Sequence, residues 1–247
     1  MIFTIAGKEL RSMFASPLAW AVLGFLQLVF AWIFLSRVDY FLTIQGQLGR
    51  VPNAPGLTEI AVVPVFGIAS IVLLMSVPLL TMRLIAEERR NQTIALLMSA
   101  PVSMTEIVLG KFVAMIGFLA LVNGLILLMA LSLLAGGKLD FGLLAANVIG
   151  LMLLTASFAA IGLFVSCLTS HPVVAAVLTL AVFLGLWIVN IATSDPQSPL
   201  NLVSLLKHFE SFMNGAVAVT DLVYFALLIV AFVVLSIRRL DADRLRA

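Results

Sequence analysis

The chain of 247 residues is 63% hydrophobic and only 11% charged, with a mean hydropathy of +1.21, whereas soluble domains are roughly 45–50% apolar and about 25% charged. Fourteen basic residues against twelve acidic ones leave a net charge of +2, too small an imbalance for a nucleic-acid-binding face. One cysteine and two histidines exclude disulfide frameworks and conventional zinc centres. The composition is that of an all-α integral membrane protein, with the lipid bilayer as its first partner and no nucleic acid among the others.

Residues 2–14 place Ile2, Phe3, Ala6, Leu10, Met13 and Phe14 at helical spacing, with Lys8, Glu9, Arg11 and Ser12 towards the other side. This pattern predicts an interfacial elbow helix over 1–16, after which Ser16 can cap and Pro17 can open a spanning helix. Beyond it, charges mark membrane edges, because an ionised side chain at a span centre costs ~2.5–3.5 kcal/mol on insertion scales. The uncharged runs predict six transmembrane helices, at about 17–36, 60–82, 107–134, 143–168, 172–193 and 218–237. The fourth and fifth share one uncharged stretch, Phe141 to Ser194, which would be ~80 Å long as a single helix. It is expected to break at Thr169-Ser170-His171-Pro172, since proline disfavours helix in the residue before it. For the sixth, Thr220 or Asp221 can cap the start. The apolar region Leu18–Leu35 is too long for a cleaved signal peptide, and no small-x-small site follows it.

With both termini in the cytoplasm, ten basic residues (Lys8, Arg11, Arg83, Arg89, Arg90, Lys111, Arg238, Arg239, Arg244 and Arg246) fall inside and four (Arg37, Arg50, Lys138 and Lys207) outside. That distribution satisfies the positive-inside rule. On the outer side, Leu202, Leu205, Leu206, Phe209, Phe212 and Met213 form an amphipathic helix before the stop Asn214-Gly215, with Ser204, Lys207, His208 and Glu210 expected on a solvated face.

The cytoplasmic connection 83–106 holds six of the 26 charges (14 basic plus 12 acidic). Glu87, Glu88, Arg89 and Arg90 mark the emergence of the second helix into water, and Asn91 or Thr93 can cap a short new helix ended by Pro101. Ser103 and Glu106 spell a capping box for the third span. The short helix presents Ile94, Leu96, Leu97 and Met98, which the loop cannot bury; lipid headgroups or a docked soluble protein must cover them.

Within the spans, Gln27, Asn123, Asn147 and Asn190 are the main polar residues. Interhelical hydrogen bonding is their default role and a transport path the alternative. Small residues four apart (Ala146/Gly150, Ala156/Ala160, Gly162/Ser166, Ala181/Gly185) predict close packing of spans four and five. No charge is expected near a span centre, unlike the usual pattern of ion-coupled carriers, and no nucleophile–base or carboxylate pair for an enzyme is spelled there. The ten methionines read as apolar filler, with no Cys or His joining them in a metal set.

The loop resembles the coupling segment of ATP-binding-cassette permeases of the type-2 exporter family: Glu87, Glu88, Thr93, Leu96, Leu97, Pro101, Val102 and Ser103 fall on its pattern. So do Lys8-Glu9-Leu10-Arg11 with Ser16-Pro17-Leu18, and Phe209-Glu210-Ser211-Phe212 with Gly215. The similarity runs through the whole chain and is closest to the gliding-motility and nitrous-oxide-reductase-maturation branches. Gln92 stands where many relatives carry Gly, and Ala95 where many carry an acid. The resemblance implies a permease in the bacterial inner membrane that pairs with a second copy or a related permease. It also implies a separate cytoplasmic ATPase gripping the coupling helix, and spans two and five lining the path. Glu87 to Thr93, with Leu96, Leu97, Met98 and Pro101, would receive the ATPase, and Lys8, Glu9 and Arg11 would serve the elbow. No Gly-Lys pair here has the flanking residues of a P-loop, so ATP and Mg are expected on the partner and no cofactor on this chain. A different class shares the same loop: an ATP-driven mechanical or assembly complex that transmits force to a periplasmic-domain partner.

Overall fold

Helix limits follow local chemistry in the computed structural model, which describes residues 1–48, 55–93, 102–192 and 204–245. Helix α1 (Ile2–Ala15) is separated from α2 (Pro17–Leu48) by Ser16, whose backbone is extended at φ −85°, ψ 130°. Pro17 fits there because its missing N–H and fixed φ suit the first helical position. The α2 helix does not stop at Ser36, the expected end of the span, but continues through Arg37 and Asp39 to Leu48. Charge ends the apolar stretch, yet nothing in 37–45 breaks a helix, so backbone hydrogen bonding carries on.

A π-helical turn at Thr58–Val62 leads into α3 (Val63–Thr81), which contains Pro78. A turn at 82–85 separates α3 from α4 (Ala86–Arg90). Helix α5 (Met104–Ser132) starts with the complete Ser103/Glu106 capping box. Helix α6 (Phe141–Leu168) is capped by Asp140, whose side chain accepts from the N–H groups of Gly142 and Leu143. The chain then breaks at Thr169 and resumes at Pro172 as α7 (Pro172–Ala192), followed by α8 (Leu205–Met213) and α9 (Val219–Arg244). Neither Thr220 nor Asp221 caps α9; the cap is Ala218, which contributes no side-chain bond. Asp221 is engaged elsewhere, as shown below.

Among the described residues, five helices are long and apolar enough to cross a membrane: Pro17–Gln47, Thr58–Arg90, Met104–Ala135, Phe141–Leu168 and Val219–Arg244. Pro172–Ile188 is a shorter apolar helix. Helix α6 is the centre of the bundle and touches α3, α5, α7, α8 and α9. Its small residues make that possible. Gly150 lies against Phe212 of α8 and Gly162 against Thr81 of α3, and a Cβ at either position would collide with that side chain. The pair Ala181/Gly185 on α7 differs: both are exposed, and nothing lies within 4 Å of a Cβ built at Gly185.

Helices α4 and α8 sit at opposite ends of α6. Ser166 meets the turn before α4, and Asn147 donates to the Phe212 carbonyl of α8 at 3.3 Å. About 28 Å of helix separates the two contacts at ~1.5 Å per residue, close to the roughly 30 Å thickness of a bilayer core.

Candidate coupling site

The turn ahead of α4 is built on one hydroxyl. Ser166 Oγ of α6 accepts from the N–H groups of Ile85 (3.1 Å) and Ala86 (3.0 Å) and donates to the Met82 carbonyl at 3.2 Å. Helix N-termini leave N–H groups without intrahelical partners, and Ser166 supplies an acceptor from another helix. Gly162, one turn earlier, leaves the room that Thr81 fills. The start of α4 is thus fixed to the core helix.

From that position Glu88 and Arg89 reach three other helices. Lys111 of α5 is 2% exposed, and its Nζ lies 2.7 Å from Glu88 Oε1 and 3.1 Å from Glu9 Oε1 of α1. Gly110 lets α1 approach α5, since a Cβ there would stand 2.7 Å from Ile5. Arg89 pairs with Asp243 of α9, which also lies 3.6 Å from Arg239. Three carboxylates therefore face three cations. Removing a charge from water is costly, and an ion pair recovers that cost only with good geometry and further hydrogen bonds. Glu88 Oε2 and Arg89 Nε are buried and unpaired among the described residues.

Helix α4 closes in a Schellman turn. The Thr93 N–H donates to the Glu88 carbonyl (3.0 Å) and the Gln92 N–H to the Arg89 carbonyl (3.2 Å), with Gln92 at φ +57°. Asn91 therefore ends a helix rather than starting one. Asn91, Gln92 and Thr93 are exposed, as is Arg90. Leu96, Leu97, Met98 and Pro101 lie outside the described residues.

Glu9 departs from the expected solvated face of α1. It turns inward to Lys111, while Lys8 and Arg11 are exposed; Phe3, of the apolar set of this helix, is 83% exposed. The buried cation selects the carboxylate that one face of α1 can deliver. Of the polar residues within spans, Gln27 Nε2 meets Met129 Sδ at 3.8 Å. Asn123 donates to the Leu119 carbonyl (2.9 Å) and to Thr155 Oγ1 (3.5 Å). Asn147 donates to the carbonyls of Leu143 and Phe212. The Asn190 side chain lies outside the described residues.

At the opposite end, His208 does not lie on a solvated face. Its Nδ1 is 2.6 Å from Asp221 Oδ1, and its ring stacks on Tyr224 with centroids 4.0 Å apart. The pairing draws Asp221 into contact with α8 and explains why it does not cap α9. Lys111, Asp243 and Ser166 are functional candidates that pattern reading passes over. One signal was present for Lys111: a cation at the eighth residue of a capped apolar helix requires a carboxylate from elsewhere in the fold.

A family model described as ABC-2 family transporter protein matches residues 3–245. No curated protein matches the chain. The match covers Lys8, Glu9 and Arg11 of α1, the ion cluster and all the apolar helices, so the chain belongs to the ABC-2 family and is a multi-pass transmembrane protein of the permease type found in ABC transporters.

Proposed function

We propose that this chain is the permease subunit of an ABC transporter, in which a separate cytoplasmic ATPase hydrolyses ATP with Mg and drives export through a dimer of this chain or of this chain with a related permease. The observation that carries the reading is the ion cluster. Helix α4, at the start of the coupling segment, is tied through Glu88 to α5 and α1 and through Arg89 to α9. A push on the segment after Thr93 reaches these three helices through α4.

In this reading α1 is the elbow, six helices cross the bacterial inner membrane, and α7 is the fifth span. Both termini and α4 lie on the cytoplasmic side, and α8 lies outside. The placement of α4 and α8 at opposite ends of α6, and the basic bias of the α4 side, support that orientation. The coupling segment from Glu87 to Pro101 receives the ATPase, and this chain binds no nucleotide itself. The test is co-purification with an ATPase encoded alongside. Leu96→Glu or Leu97→Glu should abolish the complex while the permease still inserts, and a normal complex in both variants would overturn the coupling assignment.

A further inference from the structure

Between α1, the start of α2 and the end of α3 lies a cleft of about 280 Å³ whose lining is divided by chemistry. Its apolar lining includes Leu18 and Ala19 from α2 and Leu79 and Leu80 from α3. Its charged lining is Arg83 and Glu87, together with Glu9, whose carboxylate is already engaged by Lys111. Arg83 and Glu87 form no salt bridge with any described residue. A guanidinium and a carboxylate, neither in a salt bridge with a described residue, therefore line one cleft together with apolar side chains at the ends of two membrane helices. A water molecule occupies about 30 Å³ of liquid, so the cleft has room for a small headgroup.

We infer that this cleft binds a zwitterionic glycerophospholipid with a primary ammonium, a phosphatidylethanolamine-type headgroup. The phosphate meets Arg83, because guanidinium N–H groups match phosphate oxygens. The ammonium donates to Glu87, which a trimethylated choline cannot do because it carries no N–H. The acyl chains leave along Leu18 and Leu79 into the bilayer. The apolar lining, contributed by the ends of two membrane helices, favours a lipid, whose acyl chains continue it, over a soluble protein partner. Because Glu87 adjoins the ion-paired Glu88 and Glu9 lines the same cleft, occupancy would sit against the elbow and α4 together.

The test uses the full-length permease without the ATPase, in micelles containing acyl-chain spin-labelled phosphatidylethanolamine, phosphatidylcholine or phosphatidylglycerol, and reads the immobilised fraction by electron paramagnetic resonance. Phosphatidylethanolamine should bind about fivefold more tightly than phosphatidylcholine, the scale of one partly exposed ion pair. Glu87→Gln should erase that preference, Arg83→Gln should weaken binding of all three lipids, and Arg37→Gln on the far part of α2 should change nothing. Equal binding of the three lipids by the wild-type protein, or an undiminished preference in both cleft variants, overturns the assignment. So does displacement by soluble glycerophosphoethanolamine at equal concentration, which would make the free zwitterion the ligand. The readout needs no nucleotide hydrolysis, so its failure would leave the coupling proposal standing.

Discussion

Gln92 occupies after α4 the position that Gly215 occupies after α8: each is the left-handed residue of a Schellman turn, at φ +57° and φ +79° respectively. The hydrogen bonds correspond. Gly215 donates to the Phe212 carbonyl and Ala216 to the Ser211 carbonyl, as Gln92 and Thr93 do to Arg89 and Glu88. Glycine adopts this conformation without steric cost, whereas a residue with a Cβ is strained there by roughly 1–2 kcal/mol.

The first prediction follows from that comparison. Gln92→Gly should relieve the strain, partly offset by glycine's larger unfolded-state entropy of about 0.5–1 kcal/mol, and leave the protein equally stable or slightly more so. Gln92→Val, β-branched, should destabilise it by more than 1 kcal/mol, an estimate of the same order as the left-handed penalty. Thermal unfolding of the two variants in micelles measures the difference, and a valine variant melting with the wild type would refute the left-handed assignment.

The buried cation gives a second. Lys111→Met leaves Glu9 and Glu88 facing each other without their cation and should cost ~3–5 kcal/mol, the usual scale for breaking a buried pair. Adding Glu9→Gln and Glu88→Gln removes the orphaned charges and should restore most of the melting temperature. Stimulation of the partner ATPase should stay low in the triple variant. Its return alongside stability would mean that the cluster serves folding alone.

Arg89 and Asp243 form the tie to α9 and are suited to a double-mutant cycle. Arg89→Ala, Asp243→Ala and the double variant should yield a coupling energy of about 0.5–3 kcal/mol, as contacting residues do. Arg239 also approaches Asp243, so Arg239→Ala with Asp243→Ala should yield a smaller value. Additive losses for Arg89 and Asp243 would show that the pair transmits nothing.

Ser166→Ala removes the acceptor for Ile85 and Ala86 and the donor to Met82. Leaving buried polar groups unpaired costs ~1–3 kcal/mol, so the variant should melt lower. Hydrogen exchange should rise at Ile85 and Ala86 ahead of the rest of the bundle. Uniform exchange across α3, α4 and α6 would count against a local role for this hydroxyl.

Orientation is tested by labelling. A cysteine at position 92 should react from the cytoplasmic side and one at position 210 from the outside, both being exposed; the native Cys167 is fully buried and stays silent. Ser204 is a poor reporter because it is buried and caps α8. Reaction of both cysteines from one side would overturn the topology.

The helix limits were legible wherever a few neighbouring residues decide them. Ser103 with Glu106, Pro17, Pro172 and Asn214-Gly215 each act within a turn, and the structure places helix ends at all four. The ion cluster was not legible, because residues 9, 88, 111 and 243 meet only through the packing of four helices, and no periodicity records a cross-helix pair. The same limit explains His208 and Asp221. Each looked ordinary on its own segment, one on a wet face and one at a cap, and only the docking of α8 on α9 joins them. Small residues on α6 marked a packing surface correctly without naming what fills it, which proved to be Phe212 and Thr81.

Glu88 and Arg89 are consecutive, so their side chains leave α4 about 100° apart around its axis. One leads to Lys111 and the first helix of the chain, the other to Asp243 and the last. A twist of α4 would therefore displace the two linkages in different directions, where a straight push along its axis would move both alike.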